Sequence, residues 1–138
     1  MTEIRRGEPG DLAQVESIQG ASPEASQWKP ADYLAFDLRV AIEDGAVAGF
    51  IVARQTGPGE WEILNMAVAP QWRRRGVARL LVESIQTSVN GYVFLEVRQS
   101  NEAARKLYNS MGFQEVARRQ QYYNSPPEAA IVMKFHSC

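Results

Sequence analysis

The segment 65–78 constrains the fold more than any other, because it joins an apolar strand, a short turn and a basic glycine loop that opens a helix. The start of a helix carries N–H groups without acceptors and attracts anions. Gly76 removes a side chain that would block close approach, and Arg73, Arg74 and Arg75 add charged donors. The segment therefore predicts a pyrophosphate site beside the end of a strand, although a basic, solvated helix start would explain the same residues.

The composition excludes several classes of protein. The chain has 138 residues, of which 45% are hydrophobic, so we expect one domain, 1–138, with its own core. A net charge of -1, from 15 Lys and Arg against 16 Asp and Glu, argues against binding to nucleic acid or anionic membranes. Cys138 is the only cysteine, and no long apolar run or signal-peptide pattern is present, so we expect a soluble cytoplasmic protein.

Apolar periodicity and turn residues predict a mixed α/β fold with the order β-α-α-β-β-β-α-β-α-β-β. Asp11 is expected to cap the first helix, and Pro30 to begin a second helix that carries Tyr33, Leu34 and Leu38. Asp44-Gly45 predicts a hairpin, and Gly112 the end of the last helix. The strands are expected at 4–7, 40–43, 46–54, 61–68, 92–97, 114–123 and 129–135. The helices after the first two are expected at 76–88 and 101–111.

Glu96 interrupts the run 92–97, whose apolar character predicts a strand covered on both faces. A partly desolvated carboxylate in that place suits a general base for an amine. It would equally suit a structural role, in which Glu96 pairs with Arg98 or another cation. The residues alone leave both readings open.

Tyr108 lies in the last predicted helix. A phenol can protonate a thiolate as charge develops on sulfur, which makes Tyr108 a candidate general acid. Its face of the helix also carries Ala104, Leu107 and Met111, so a plain core role stays open. Asn101 is expected to cap this helix.

These motifs resemble the GNAT superfamily of N-acetyltransferases and, within it, the RimI-type enzymes, which acetylate the N-terminal alanine of a small-subunit ribosomal protein. The resemblance covers nearly the whole chain and is strongest over 62–123. Three separated segments carry it in order: the strand and glycine loop 65–78, the run 95–101 (Leu-Glu-Val-Arg-Gln-Ser-Asn), and Tyr108 with the later pair Tyr122-Tyr123.

The resemblance implies a mixed central sheet of about seven strands, splayed in the middle, with about four helices. It places acetyl-CoA in the split between the strands 61–68 and 92–97, with pantetheine added to the strand edge and the pyrophosphate in the glycine loop. No metal is implied. The residues expected to contact the cofactor are Met66, Ala67, Val68, Arg73, Arg74, Arg75, Gly76, Val77, Ala78 and Asn101.

The resemblance also implies the chemistry, which is direct transfer of acetyl to an amine. Glu96 would act as the base, directly or through a water, and Tyr108 as the acid. A backbone N–H near 66–68 would stabilise the carbonyl oxygen as it gains charge. The acceptor is expected to be a protein N-terminal α-amine, with a small-molecule amine as the alternative. A non-catalytic acyl-CoA-binding module is the rival from another class.

The acceptor side departs most from the RimI-type pattern. Its expected walls are Trp28, Tyr33, Glu62, Tyr122 and Tyr123. The usual Arg-x-Tyr-Tyr reads Gln-Gln-Tyr-Tyr over 120–123, and the usual acidic pair before the last strand reads Glu-Ala over 128–129. His136, the only histidine, is expected to lie in a frayed tail. We expect a monomer or weak dimer that binds a peptide N-terminus, such as that of a ribosomal protein, and no nucleic acid or membrane.

Overall fold

The computed structural model describes residues 2–124 and 127–137, and side chains over 2–120 and 127–137. Seven strands are present: β1 Glu3–Arg6, β2 Asp37–Glu43, β3 Ala46–Gly57, β4 Glu60–Val68, β5 Tyr92–Arg98, β6 Gln114–Asn124 and β7 Pro127–His136. The α-helices are α1 Leu12–Gly20, α2 Val77–Ser88 and α3 Glu102–Ser110. Short 3-10 helices span Pro9–Asp11, Pro30–Ala35 and Pro70–Trp72.

The strands form one mixed sheet in the order β1-β2-β3-β4-β5-β7-β6. β4 and β5 are parallel, and their pairing places Glu60, Trp61 and Glu62 opposite Tyr92, Val93 and Phe94. The pairs β1–β2, β2–β3, β5–β7 and β6–β7 are antiparallel. The predicted fold class, a mixed sheet of seven strands with helices, is confirmed.

The chain divides into two compact units. Unit 1 comprises Met1–Arg54 and Leu64–Ile85, and unit 2 comprises Gln55–Ile63 and Gln86–Cys138. The single domain expected from the sequence stays a prediction. In the described part of the chain, the helices are too short or too polar to cross a membrane.

Unit 1 is built around β3, in which every residue from Val47 to Ala53 is buried. Continuous burial of this kind marks a strand covered on both faces. The predicted hairpin between β2 and β3 is confirmed, since Asp44 and Gly45 both take positive φ values, 51° and 76°. The core of the unit comprises Val15, Ile18, Tyr33, Leu38, Val40, Val47, Phe50, Val52, Ala67 and Ala69.

Two predictions in unit 1 are wrong in part. The second helix is only a 3-10 helix, and Leu38 lies beyond it in β2, where it pairs with Val52 of β3. Asp11 directly precedes α1 but makes no side-chain capping bond to it. Its carboxylate instead accepts from the Glu8 N–H at 2.8 Å and from the Arg5 guanidinium at 2.9 and 3.0 Å.

Unit 2 places β5 beside β7, which pairs in turn with β6. The prediction that β5 is covered on both faces is wrong, because its residues alternate between buried and half-buried. Val93, Leu95 and Val97 point into the core, while Glu96 lies on the half-buried face. The end of α3 is predicted correctly, since Gly112 takes a φ of 94° and the chain turns there into β6.

Candidate functional site

The basic loop of unit 1 has the geometry of an anion cradle. Arg74 and Gly76 both take positive φ values, 64° and 81°, immediately before α2 begins at Val77. The first helical hydrogen bond runs from the Leu80 N–H to the Gly76 carbonyl at 3.1 Å, so the N–H groups of Val77 and Ala78 have no intrahelical acceptor. A Cβ added at Gly76 would meet no heavy atom within 4 Å. This backbone therefore fits a diphosphate.

Arg73 does not belong to this cradle, contrary to the prediction for its side chain. Its Nε donates to the Val68 carbonyl at 3.1 Å, and its Nη2 donates to Ser22 Oγ at 3.1 Å and to the Ala21 carbonyl at 3.3 Å. The guanidinium is thus committed to neutral oxygens of the chain itself. Arg75 lies over the Trp72 ring, 5.3 Å from its centroid.

The end of β4 has two edges. The Ala69 N–H donates to the Ala48 carbonyl of β3 at 2.7 Å, and backbone groups alternate along a strand, so Met66 and Val68 present theirs on the opposite edge. The Met66 N–H donates to its neighbour, Asn65 Oδ1, at 3.1 Å. Of the backbone groups predicted to hold pantetheine, the Met66 N–H and the Val68 carbonyl already have partners within the chain.

Behind this strand lies a buried polar cluster of Gln19, Tyr33 and Asn65. Tyr33 is fully buried, and its hydroxyl donates to Gln19 Oε1 at 2.5 Å and accepts from Asn65 Nδ2 at 2.9 Å. Burial raises the pKa of Tyr33 above its ordinary value. Tyr33 therefore cannot form a wall for an acceptor, and that prediction is wrong. Trp28, by contrast, is 44% exposed.

Sequence reasoning missed Gln19 and Asn65. Asn65 is 6% exposed, although it stands in the apolar strand β4 between Leu64 and Met66. A signal was available, because a polar residue within an apolar strand needs a partner to be buried. The same argument had singled out Glu96 in β5.

Glu96 of unit 2 has a cation partner. Arg119 of β6 donates from Nη1 to Glu96 Oε1 at 2.5 Å, and the Glu96 side chain is 20% exposed. Arg98 pairs instead with Glu128, at 3.4 Å between Nη1 and Oε1. The ion pair that the sequence left open as an alternative is thus present, with Arg119 as the partner.

Tyr108 of α3 is 6% exposed, and its ring meets the edge of Phe113 with the centroids 5.5 Å apart. Desolvation by burial raises the pKa of Tyr108 well above its ordinary value. A phenol is already protonated at neutral pH, which is the form a general acid requires. Its packing also gives it the core role that the sequence left open.

The loop between β5 and α3 is held by two polar side chains. Asn101 caps α3 as predicted, because its Oδ1 accepts from the Ala104 N–H at 3.2 Å. Glu128 of β7 accepts from the Ser100 N–H at 2.5 Å, and this hydrogen bond, with further help from Arg98, lowers the pKa of Glu128. In the sequence, Glu128 was noted only as part of the pair Glu-Ala at 128–129, which departs from the usual acidic pair of RimI-type enzymes.

The other predicted positions are less informative. Glu62 is half-buried on β4, opposite Phe94. The side chains of Tyr122 and Tyr123 lie outside the described residues. The frayed tail predicted for His136 is wrong, since this residue ends β7 and stacks on Tyr92 with a centroid distance of 4.4 Å. Over the side chains that the structure describes, no group of three His, Cys, Asp or Glu could hold a metal ion.

Known proteins with similar sequences include several named acetyltransferases. RimI of Mycobacterium tuberculosis, an N-alpha-acetyltransferase, is 40% identical over 88 residues, which are 63% of this chain and 56% of that protein. The ribosomal protein bS18-alanine N-acetyltransferase of Escherichia coli K12 is 36% identical over 107 residues, 73% of this chain and 70% of that one. The chain spans only 24% and 56% of the length of two mycobacterial relatives.

The fold has close counterparts among solved structures. The crystal structure of the ribosomal-protein-S18-alanine N-acetyltransferase from Escherichia coli superposes with a TM-score of 0.85 at 28% identity, covering 99% of this chain and 94% of that one. The family model for the acetyltransferase (GNAT) family matches residues 8–113. The resemblance read from the sequence is confirmed, and the chain belongs to the GNAT acetyltransferase family.

Proposed function

We propose that this chain is an acetyl-CoA-dependent N-acetyltransferase that transfers acetyl directly to the N-terminal α-amine of a protein. Membership of the GNAT family supports the reaction. The name of the Escherichia coli relative, an N-acetyltransferase of a ribosomal protein alanine, supports the acceptor. We expect a cytoplasmic monomer or weak dimer without nucleic-acid partners.

The observation that carries the proposal is the anion cradle at the start of α2. Arg74 and Gly76, on either side of Arg75, both take positive φ values. Backbone of this kind can form a concave nest of N–H groups that binds an anion. The absence of atoms near a Gly76 Cβ leaves room for a diphosphate there. Arg74 and Arg75 supply positive charge, and Val77 and Ala78 supply helix N–H groups.

The carbonyl oxygen of the acetyl group needs a donor as it gains negative charge. The Met66 N–H already donates to Asn65 Oδ1. We therefore assign the stabilisation of the acetyl oxygen to the Val68 N–H, which lies on the same edge of β4. The Val68 carbonyl has a second lone pair beyond the one that Arg73 uses, and it can still accept from pantetheine.

We assign Glu96 as the base. An α-amine has a pKa of about 8 and is mostly protonated at neutral pH, so it must lose a proton before it attacks. Arg119 occupies Oε1 of the carboxylate, which leaves Oε2 to receive the proton directly or through a water. The ion pair would then hold the carboxylate in one orientation.

We assign Tyr108 as the acid that protonates the departing thiolate. The phenol is protonated at neutral pH even at its ordinary pKa of about 10, and burial raises that pKa further. It can give that proton up only as negative charge develops on sulfur beside it. Asn101 orients α3, which carries Tyr108, through its cap on the Ala104 N–H.

The test is release of CoA from acetyl-CoA with a panel of acceptors. The panel contains peptides that begin with Ala, Ser or Met, a peptide whose only amine is a lysine side chain, and several polyamines and amino acids. Turnover confined to peptides with an unblocked N-terminus is the expected result. Turnover with small amines alone would overturn the acceptor and keep the chemistry. Tight acetyl-CoA binding without any turnover would point to a non-catalytic module.

A further inference from the structure

Two side chains of unit 1 hold the loop 21–29, which joins α1 to the following 3-10 helix. Arg73 binds its first residues, through Ser22 Oγ at 3.1 Å and the Ala21 carbonyl at 3.3 Å. Asn65 binds further along, where Oδ1 accepts from the Ser26 N–H at 3.1 Å and Nδ2 donates to the Ser26 carbonyl at 2.9 Å. The loop is thus held near its start and near its middle.

A third contact reaches the loop through the buried cluster. Gln19 Nε2 donates to the Trp28 carbonyl at 2.6 Å. The orientation of that amide is set from its other side, since Gln19 Oε1 accepts from the Tyr33 hydroxyl and lies 3.2 Å from Asn65 Nδ2. Asn65 therefore acts on the loop both directly at Ser26 and indirectly at Trp28, which is 44% exposed.

Both of these side chains also bind the edge of β4 that lies opposite β3. Asn65 Oδ1 accepts from the Met66 N–H as well as from Ser26, and Arg73 Nε donates to the Val68 carbonyl. One carboxamide and one guanidinium thus tie the loop to the strand. The loop therefore cannot move away from the strand without breaking these hydrogen bonds.

We propose that Asn65 and Arg73 form a clamp that positions the loop 21–29 against β4, so that recognition of the acceptor depends on them. This inference rests on the proposed function and on the expectation from the sequence that Trp28 forms a wall for the acceptor. Neither side chain is a catalytic residue here. The clamp also gives Arg73 a structural role within unit 1, although it lies in the same basic run as Arg74 and Arg75.

The test uses variants that keep charge or shape. Arg73→Lys keeps the positive charge, but one ammonium cannot replace the fork that joins Val68 to Ser22. Asn65→Asp keeps the acceptor for Ser26 and Met66 and loses the donor to the Ser26 carbonyl. Controls are Arg54→Lys, the same change at an exposed position of β3, and Val52→Ala, which loosens the core without touching the clamp.

Steady-state kinetics should separate the two substrates. We expect each clamp variant to raise the KM for an acceptor peptide about tenfold, while the KM for acetyl-CoA stays within about twofold of the wild type. Val52→Ala should lower the Tm and leave both KM values in place. An unchanged acceptor KM in the clamp variants, or equal shifts in both KM values, would overturn the clamp and leave the proposed function standing.

A second readout does not need catalysis. Amide hydrogen exchange over 21–29 should speed up in both clamp variants, measured against α1 as the internal reference, and should not change in Arg54→Lys. Exchange that stays at the wild-type rate would overturn the clamp. A wild-type protein that acetylates no acceptor would instead contradict the proposed function. The hydrogen-exchange result would still test the clamp.

Discussion

At the scale of single residues, Tyr108 combines core packing with a candidate chemical role. Its ring packs on Phe113, and burial raises the pKa of the phenol above its ordinary value. Tyr108→Phe keeps the ring and removes only the hydroxyl. We expect turnover to fall about 100-fold or more, the range for loss of a general acid, with acetyl-CoA affinity nearly unchanged. CoA release and calorimetric titration measure the two quantities, and unchanged turnover would exclude Tyr108 from the mechanism.

Variants of Glu96 and Arg119 can show whether Glu96 acts as a base or only as the partner of Arg119 in an ion pair. Glu96→Gln should lower turnover most near neutral pH and less at alkaline pH, because the α-amine is then already unprotonated. Arg119→Ala breaks the same contact, yet it should keep most of the turnover and cost at most about 1 kcal/mol of unfolding free energy, since the pair is partly exposed.

The matched control for Arg119→Ala is Arg118→Ala, the neighbouring exposed arginine of β6. Turnover profiles against pH, recorded with one peptide, compare all three variants. If Glu96→Gln and Arg119→Ala lose the same activity at every pH, Glu96 serves only to hold Arg119, and the base must be sought elsewhere.

The candidate site could be predicted from the sequence as a set of residue types, and less well as a set of contacts. The glycine loop, Asn101 and Tyr108 were visible because each belongs to a local pattern of turn, cap or helix face. Arg73 and Tyr33 were assigned wrongly because their partners, Ser22 and Gln19, lie far along the chain or on another element. No local pattern reports such a partner.

At the scale of elements, the turn into β5 depends on a glycine. Gly91 takes a φ of 143°, and a Cβ added there would lie 2.1 Å from the Gly59 carbonyl oxygen. Gly91→Ala should therefore lower the unfolding free energy by about 3 kcal/mol, from backbone strain and displacement of that turn. Urea unfolding measures the loss.

Gly20→Ala is the control, a glycine-to-alanine change that is expected to raise the unfolding free energy rather than lower it. Gly20 ends α1 and has open space around an added Cβ. The exchange should stabilise the protein by about 0.5–1 kcal/mol, because alanine loses less chain entropy in a helix than glycine. A Gly91→Ala variant as stable as the wild type would show that the close approach to Gly59 is not required.

Element types were easiest to predict where the chain has a turn residue that favours one backbone conformation. Asp44-Gly45 and Gly112 are such cases, and both take positive φ as expected. The second helix was predicted too long because Tyr33, Leu34 and Leu38 share a helical spacing. Leu38 instead lies in β2 and pairs with Val52 of β3. Long-range pairing of that kind overrides local spacing.

At the scale of the whole molecule, acid should destabilise the fold through carboxylates in both units. The Arg5 guanidinium holds the pKa of Asp11 below its usual range, and the Ser100 N–H does the same for Glu128. A depressed folded pKa gives stability that is present above the unfolded value, about 4, and is lost as the pH falls through the folded value.

Asp11→Asn tests this expectation. Below pH 4 or thereabouts, its unfolding free energy should fall less steeply than that of the wild type, by up to about 1.4 kcal/mol per pH unit, because one titrating group is removed. Urea unfolding at a series of pH values gives both slopes. Parallel slopes would mean that the bond between Asp11 and Arg5 does not contribute to acid sensitivity.

The central claim is that this GNAT-family chain acetylates a protein N-terminal α-amine. The most direct measurement uses two peptides of one sequence that contains a lysine, one with an unblocked N-terminus and one with it blocked, and locates the new acetyl group by fragmentation mass spectrometry. The account predicts acetyl on the α-amine of the first peptide and none on the second. Acetyl on the lysine of both peptides, with the α-amine unmodified, would contradict it.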